Sequence, residues 1–246
     1  MTALQITDLV KRHGARAALD GVSLAIEAGQ FVALVGPSGS GKTTLLKSIN
    51  RLVEPDEGTI TLDGRDVRDV PVAELRHGIG YVIQSIGLFP HMSVAENINI
   101  VPKLMGQGRA DRAAELLELV ALPADMATRY PRELSGGQAQ RVGFARALAA
   151  NPKLMLMDEP FGALDPVTRD SLGRAYKALH ESLGLTTLMV THDIAEALLL
   201  ADRIVVLIDG RIRADGTPAE LLASQDAGVK AMIDVPRRQA ERLASL

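Results

Sequence analysis

The apolar run Phe31 to Val35 leads straight into Gly36-Pro37-Ser38-Gly39-Ser40-Gly41-Lys42-Thr43, and Thr44 to Asn50 then reads as a helix. Few folds accommodate that order. A strand that is almost wholly apolar is buried on both faces, which points to a parallel sheet covered by helices. Glycines let the loop curl so that successive backbone N–H groups point inward at phosphate oxygens. The helix N-terminus adds partial positive charge in the same direction. Lys42 is then placed to contact the outer phosphates of a nucleotide, and the Thr43 hydroxyl to ligate Mg²⁺. The plainer alternative is a glycine-rich turn between strand and helix, and the strand before and helix after weigh against it.

Short β-type runs alternate with helical stretches along the rest of the chain, as in an α/β fold. Leu4 to Leu9, Val22 to Ile26, Thr59 to Leu62, Ile79 to Val82, Leu154 to Met157, Thr187 to Val190 and Ile204 to Ile208 read as further strands. Ser93-Val94-Ala95-Glu96 and Thr217-Pro218-Ala219-Glu220 have the form of capping boxes, the second with proline at the first helical position. Between about Phe89 and Ala150 only helical periodicity appears, as at Ala113, Leu116, Leu117 and Val120. The expectation is one domain over 1–225. Its sheet core covers 1–88 and 151–225, a helical subdomain is inserted at about 89–150, and a tail follows at 226–246.

Composition narrows the function classes. The chain of 246 residues carries 27 basic against 30 acidic residues, so no strong field for nucleic acid is expected. Aromatics make up only 3%, which also argues against a base-stacking surface. Without cysteine there are no disulfides or thiolate metal sites, and His13, His77, His91 and His180 lack paired ligand spacing. No run approaches the roughly 18 apolar residues of a membrane span, and the start lacks a signal-peptide pattern. The expectation is a chain that is soluble by itself, with any membrane link made through a partner.

Leu154 to Met157 ends in Asp158 and Glu159, so an apolar strand delivers two carboxylates to the sheet edge where ligands bind in open parallel sheets. Asp158 suits Mg²⁺, held through water, because that ion keeps part of its hydration shell. Glu159 could polarise an attacking water. Leu134-Ser135-Gly136-Gly137-Gln138 lies twenty residues before this strand and has its own capping-box form. It can serve as a simple helix start and as an anion site at once. Gln84 follows the run Ile79 to Ile83, and Thr191-His192-Asp193 follows the strand Thr187 to Val190.

Taken together, the phosphate loop, LSGGQ, the acid pair and His192 resemble the ATP-binding-cassette (ABC) ATPases, over Leu4 to about Leu222. The resemblance implies a P-loop NTPase fold with a parallel-sheet core, an N-terminal antiparallel β part and a helical insert. It implies an ATPase using ATP and Mg²⁺, with Gly36 to Thr44 binding the nucleotide and Thr43, Gln84 and Asp158 serving the ion. Glu159 becomes the hydrolytic residue, Gln84 the Q-loop glutamine, and His192 the switch that orients the γ-phosphate and Glu159. The signature Leu134 to Gln138 would face ATP bound by a second copy of the subunit, with Asp165 of the D-loop along that interface. An aromatic usually stacks on adenine in this family; His13 stands in that place, which implies weaker base discrimination.

Several stretches look like the importers of glycine betaine, choline and related quaternary-amine osmoprotectants. They are Asn50-Arg51-Leu52 with Glu54-Pro55, Gly78 to Met92, Val101 to Leu104 and Phe161 to Asp170. That resemblance implies membrane permease subunits, a substrate-binding protein and a peripheral place on the cytoplasmic face of the membrane. An amino-acid importer or a lipid or solute exporter is the alternative. Repair cassettes carry a long coiled coil, and Thr43 to Ser135 has no sustained heptads; ribosome-acting cassettes normally pair two ATPase halves in one chain. Many osmoprotectant ATPases add paired regulatory CBS domains, but this sequence ends at Leu246, so gating through such domains is not expected. Ser85 to Met92 either exposes Leu88 and Phe89 to a permease helix or packs them into local core.

Overall fold

The computed structural model describes residues 2–108 and 111–234. In chain order the elements are β1 Thr2–His13, β2 Arg16–Glu27, β3 Phe31–Val35, α1 Lys42–Ile49, β4 Glu57–Leu62 and β5 Arg65–Asp66. Then come α2 Val72–His77, β6 Ile79–Val82, α3 Val94–Leu104, α4 Arg112–Leu119, α5 Gly136–Leu148, β7 Leu154–Asp158 and α6 Pro166–Leu183. The chain continues through β8 Thr186–Val190, α7 Ile194–Leu200, β9 Arg203–Ile208, β10 Arg211–Gly216 and α8 Pro218–Leu222. Residues 227–234 are helical; residues 235–246 lie outside the described residues. No helix among the described residues is long and apolar enough to cross a membrane.

The chain forms two compact units. One runs to Asp69 and resumes at Leu188; the other is Val70–Thr187, with β8 carrying the chain between them. In the first unit, an antiparallel sheet has the order β2-β1-β4-β5. Its register pairs Leu4 with both Ile26 and Leu62, and Ile6 with Leu24 and Ile60. All of these except Leu62 are buried, so the alternation of apolar residues sets which face packs inward. The phosphate-loop strand β3 runs parallel to β9, which pairs antiparallel with β10. Every residue of β3 is buried, as its unbroken apolar sequence demands.

In the second unit β6 and β7 are parallel, Ile79 pairing with Leu154 and Val82 with Met157. No strand lies among the described residues between β6 and β7. The helical periodicity reads out as burial: Ala113, Leu116, Leu117 and Val120 are all in the core. Phe144 packs edge-on against Phe161 at 5.8 Å and at 5.1 Å against Tyr176, joining α5 to α6. The Tyr176 hydroxyl and His180 Nδ1 both hydrogen-bond the Thr187 hydroxyl, at 2.9 and 3.0 Å, so His180 is a satisfied core residue. The capping boxes at Ser93 and Thr217 form with both reciprocal bonds.

Candidate functional site

The phosphate loop is shaped by close backbone approach. A side chain at Gly36 would collide with the Leu207 carbonyl of β9, so the tight curl requires glycine there. Behind the loop, the Ser40 carbonyl accepts a 3.1 Å bond from the Gly210 N–H of the β9–β10 turn. Lys42 opens α1 and is 7% exposed; its ammonium donates to the Gly36 and Pro37 carbonyls at 2.8 and 2.9 Å. The cation thus lies folded against its own loop, where an anion's oxygens would compete for it. Ser40 Oγ is buried without a hydrogen-bond partner, an orphan polar atom inside the loop.

A cavity of about 360 Å³ opens over this loop, lined by His13, Arg16, Ala18 and Gly39 to Thr44. That volume lies in the range of small-molecule sites. His13 reaches it because a two-residue turn pairs it with Arg16 across the β1–β2 hairpin. Directly paired residues share a face, so both side chains stand at the cavity, and Arg16 also donates to the Gly39 carbonyl at 3.3 Å. The sequence reading missed Arg16; the signal was the turn at Gly14, which sets His13 opposite Arg16. In the same unit, the Thr191 N–H donates to the carbonyl of Leu34 in β3, which tethers His192 beside the strand feeding the loop. His192 is exposed, and Asp193 caps α7 through the N–H groups of Ala195 and Glu196.

The second unit gathers a different set. Asp158 closes β7 and is 7% exposed, while Glu159 has left the strand with φ +47°. That left-handed backbone, uncommon for any residue but glycine, breaks the strand's alternation and redirects the Glu159 side chain. Gln84 Nε2 donates to Glu159 Oε2 at 2.9 Å. The Tyr81 phenol is pushed up to about 12 by burial and then by the charge of Asp158. The buried Asp158 carboxylate at the strand end is a hard oxygen donor of the kind a hydrated Mg²⁺ takes.

The signature forms a helix start with both bonds of its capping box. Ser135 Oγ accepts from the Gln138 N–H, and Gln138 Oε1 accepts from the Ser135 N–H at 2.9 Å. Ser135 and Gly136 are exposed. A side chain on Gly137 would meet Thr168 Cγ2 at 2.9 Å, and one on Gly136 would touch Leu164, so the signature abuts the start of α6. Asp165 caps that helix. Bonds from Thr168, its hydroxyl first and then its backbone N–H, hold the Asp165 carboxyl below the usual carboxylate range. Leu134 precedes the cap in extended backbone. In the loop after Gln84, Leu88 is half-buried and Phe89 is 39% exposed, edge-on to His91 at 6.1 Å.

The sequence pattern of the ABC transporter family matches residues 19–162. The choline transport ATP-binding protein OpuBA of Bacillus subtilis (strain 168) is 55% identical over 212 residues, 85% of this chain and 56% of that protein. The glycine betaine uptake system ATP-binding protein YehX of Escherichia coli (strain K12) is 51% identical over 222 residues, 89% of this chain and 72% of that one. A dimeric structure of MJ0796, a bacterial ABC transporter cassette, superposes with a TM-score of 0.77 at 36% identity, covering 87% and 98% of the two chains. The chain spans little more than half the length of the Bacillus relative. The family match over residues 19–162 and the similarity to these relatives mean that the chain belongs to the ABC transporter family.

Proposed function

We propose that this chain is the ATP-hydrolysing subunit of an importer for a quaternary-amine osmoprotectant such as glycine betaine or choline. The observation that carries ATP binding is the phosphate loop, with a buried lysine folded on its own carbonyls and an orphan serine hydroxyl under an open cavity. In this reading Gly36, Pro37, Ser38, Gly39, Ser40, Gly41, Lys42, Thr43 and Thr44 hold the triphosphate, and His13 lies against the base. Thr43, Asp158 and Gln84 serve Mg²⁺, whose chemistry is to neutralise phosphate charge. Glu159 would accept a proton from the attacking water as the water oxygen bonds the γ-phosphorus and the bond from that phosphorus to the β–γ bridging oxygen breaks, releasing ADP and phosphate. His192 holds the γ-phosphate and orients Glu159.

The solute class is supported by the names of the relatives and by the quoted stretches, not by any residue that touches solute. The working divisions follow the same reading: sheet core 1–88 and 151–225, helical subdomain about 89–150, tail 226–246. Two copies sandwich ATP between the phosphate loop of one and the signature Leu134 to Gln138 of the other, with Asp165 along the seam. The half-exposed Phe89 loop suits an apolar helix of a permease subunit at the cytoplasmic face of the membrane, with a substrate-binding protein on the far side. Uptake of labelled choline and glycine betaine tests this in cells whose copy carries Glu159→Gln. The proposal requires uptake to fall to background while the protein level holds. Unchanged uptake of these solutes, with loss of amino-acid import or lipid export instead, would reassign the transporter.

A further inference from the structure

Arg146 lies near the end of α5, the helix that begins at the signature. Its guanidinium is half-buried and donates two 2.6 Å bonds, to the Ile86 and Gly87 carbonyls. No carboxylate pairs with it among the described residues, and burial lowers its proton affinity. Desolvating a cation for two backbone carbonyls is costly, and a simple packing role would be met by an apolar side chain. What it grips is a strained turn. Ile86 has φ +61°, where a β-branched residue is an outlier, and a side chain on the left-handed Gly87 would strike Ile83. Ile86 N–H donates to the Ile83 carbonyl and Gly87 N–H to that of Ser85, at 3.1 and 2.6 Å. Strain of this kind persists only where the surroundings over-determine it.

The rest of the loop has a separate anchor. Asn97, fully buried in α3, accepts from the Phe89 N–H at 2.7 Å, and the two hydrogens of its Nδ2 are shared among the Phe89, Met92 and Ser93 carbonyls at 3.0–3.1 Å. Arg146 therefore holds the Ile86–Gly87 turn, apart from the stretch that Asn97 holds. Gly143, one turn earlier on the same face of α5, leaves room for Ile86 Cγ2 at 3.5 Å from where its side chain would begin. We propose that Arg146 is a positioning residue for Gln84: by holding the Ile86 and Gly87 carbonyls it fixes the turn that delivers Gln84 to Glu159. The inference rests on the reading that Gln84 and Glu159 serve ATP hydrolysis.

The test compares Arg146→Met, Arg146→Lys, Gln84→Ala and the Arg146→Met/Gln84→Ala pair in the full chain. It measures kcat, KM, binding of a fluorescent ATP analogue, thermal midpoint and hydrogen exchange. Arg146→Met is expected to lower kcat about tenfold while analogue affinity stays within about twofold. Arg146→Lys, which keeps a donor for one carbonyl, restores part of the loss. In the Gln84→Ala background the Arg146 change alters the residual kcat less than about twofold, since the two act through one group. Exchange across 84–88 speeds up in Arg146→Met while 89–97 is unchanged. A full multiplicative loss on top of Gln84→Ala, or wild-type kcat in Arg146→Met, overturns the proposal. Should the unmodified chain not hydrolyse ATP, the functional reading falls; exchange across 84–88 that ignores Arg146→Met then overturns the clamp separately.

Discussion

Gln84 donates its side-chain amide to the Glu159 carboxylate at 2.9 Å across 75 residues of sequence. The bond joins a glutamine just after β6 to an acid just after β7, and the two strands are parallel neighbours. Their C-terminal ends lie together, so the residues that follow converge on one edge, where α/β sheets bind ligands. The left-handed Glu159 backbone completes the approach. A carboxylate already held by a neutral donor has a defined orientation, which is what the general-base role proposed for Glu159 requires.

Asn97 is the polar keystone of the loop after Gln84. Replacing it with alanine removes the side-chain partner of the Phe89 N–H and of the Met92 carbonyl, while the Phe89 and Ser93 carbonyls keep the backbone N–H groups of Met92 and Asn97. Asn97→Ala should cost about 3 kcal/mol of stability, measured by urea denaturation. A loss below about 1 kcal/mol would mean that water replaces the side chain freely.

Tyr81 makes stability depend on alkaline pH. Burial first and the charge of Asp158 second raise its phenol to about 12 in the folded chain, above its ordinary value of 10.0. The neutral phenol therefore contributes stability that is complete below pH ~10 and lost as pH rises through about 12. The thermal midpoint should fall over this window, and less steeply in Tyr81→Phe; Tyr176, raised in the same direction by burial, keeps part of the slope. Identical slopes in the two proteins would remove Tyr81 as a source.

Much of this was legible in the residues, for identifiable reasons. The runs Phe31 to Val35 and Ile79 to Val82 coincide with β3 and β6: the first is wholly apolar and is followed by Gly36-Pro37, and the second starts directly after Gly78. The capping boxes at Ser93, Ser135 and Thr217 form as local chemistry dictates. β10 was not legible: Arg211, Arg213 and Asp215 point outward along an edge strand, so its sequence reads as loop. β5 is only two residues long. Within the site, the clamp by Arg146 and the anchor at Asn97 depend on contacts across 59 and 8 residues, and no local pattern announces them.

In the proposed binding mode His13 offers the base less stacking area than tyrosine or tryptophan would, and Arg16 beside it supplies a cation rather than a second ring. ATP and GTP should accordingly be hydrolysed at comparable rates, within about threefold. His13→Tyr should shift the preference toward ATP. A steep ATP preference in the unmodified chain would rule out weak discrimination by His13.

The exposed signature start and the capped α6 beside it leave Ser135 and Gly136 available to a second subunit. Glu159→Gln should sediment as a monomer alone and as a dimer with ATP and Mg²⁺, the shift vanishing when Lys42→Ala is added. A monomer throughout, with ATP binding demonstrated, would mean that membrane subunits must supply the pairing.

The decisive measurement is steady-state ATP hydrolysis by the unmodified chain, Lys42→Ala and Glu159→Gln, with binding of a fluorescent ATP analogue followed in parallel. Hydrolysis should depend on Mg²⁺ and fall at least about a hundredfold in Glu159→Gln while analogue binding stays intact. Lys42→Ala should weaken binding as well as turnover. Hydrolysis that survives Glu159→Gln, or binding indifferent to Lys42→Ala, would contradict the proposed function.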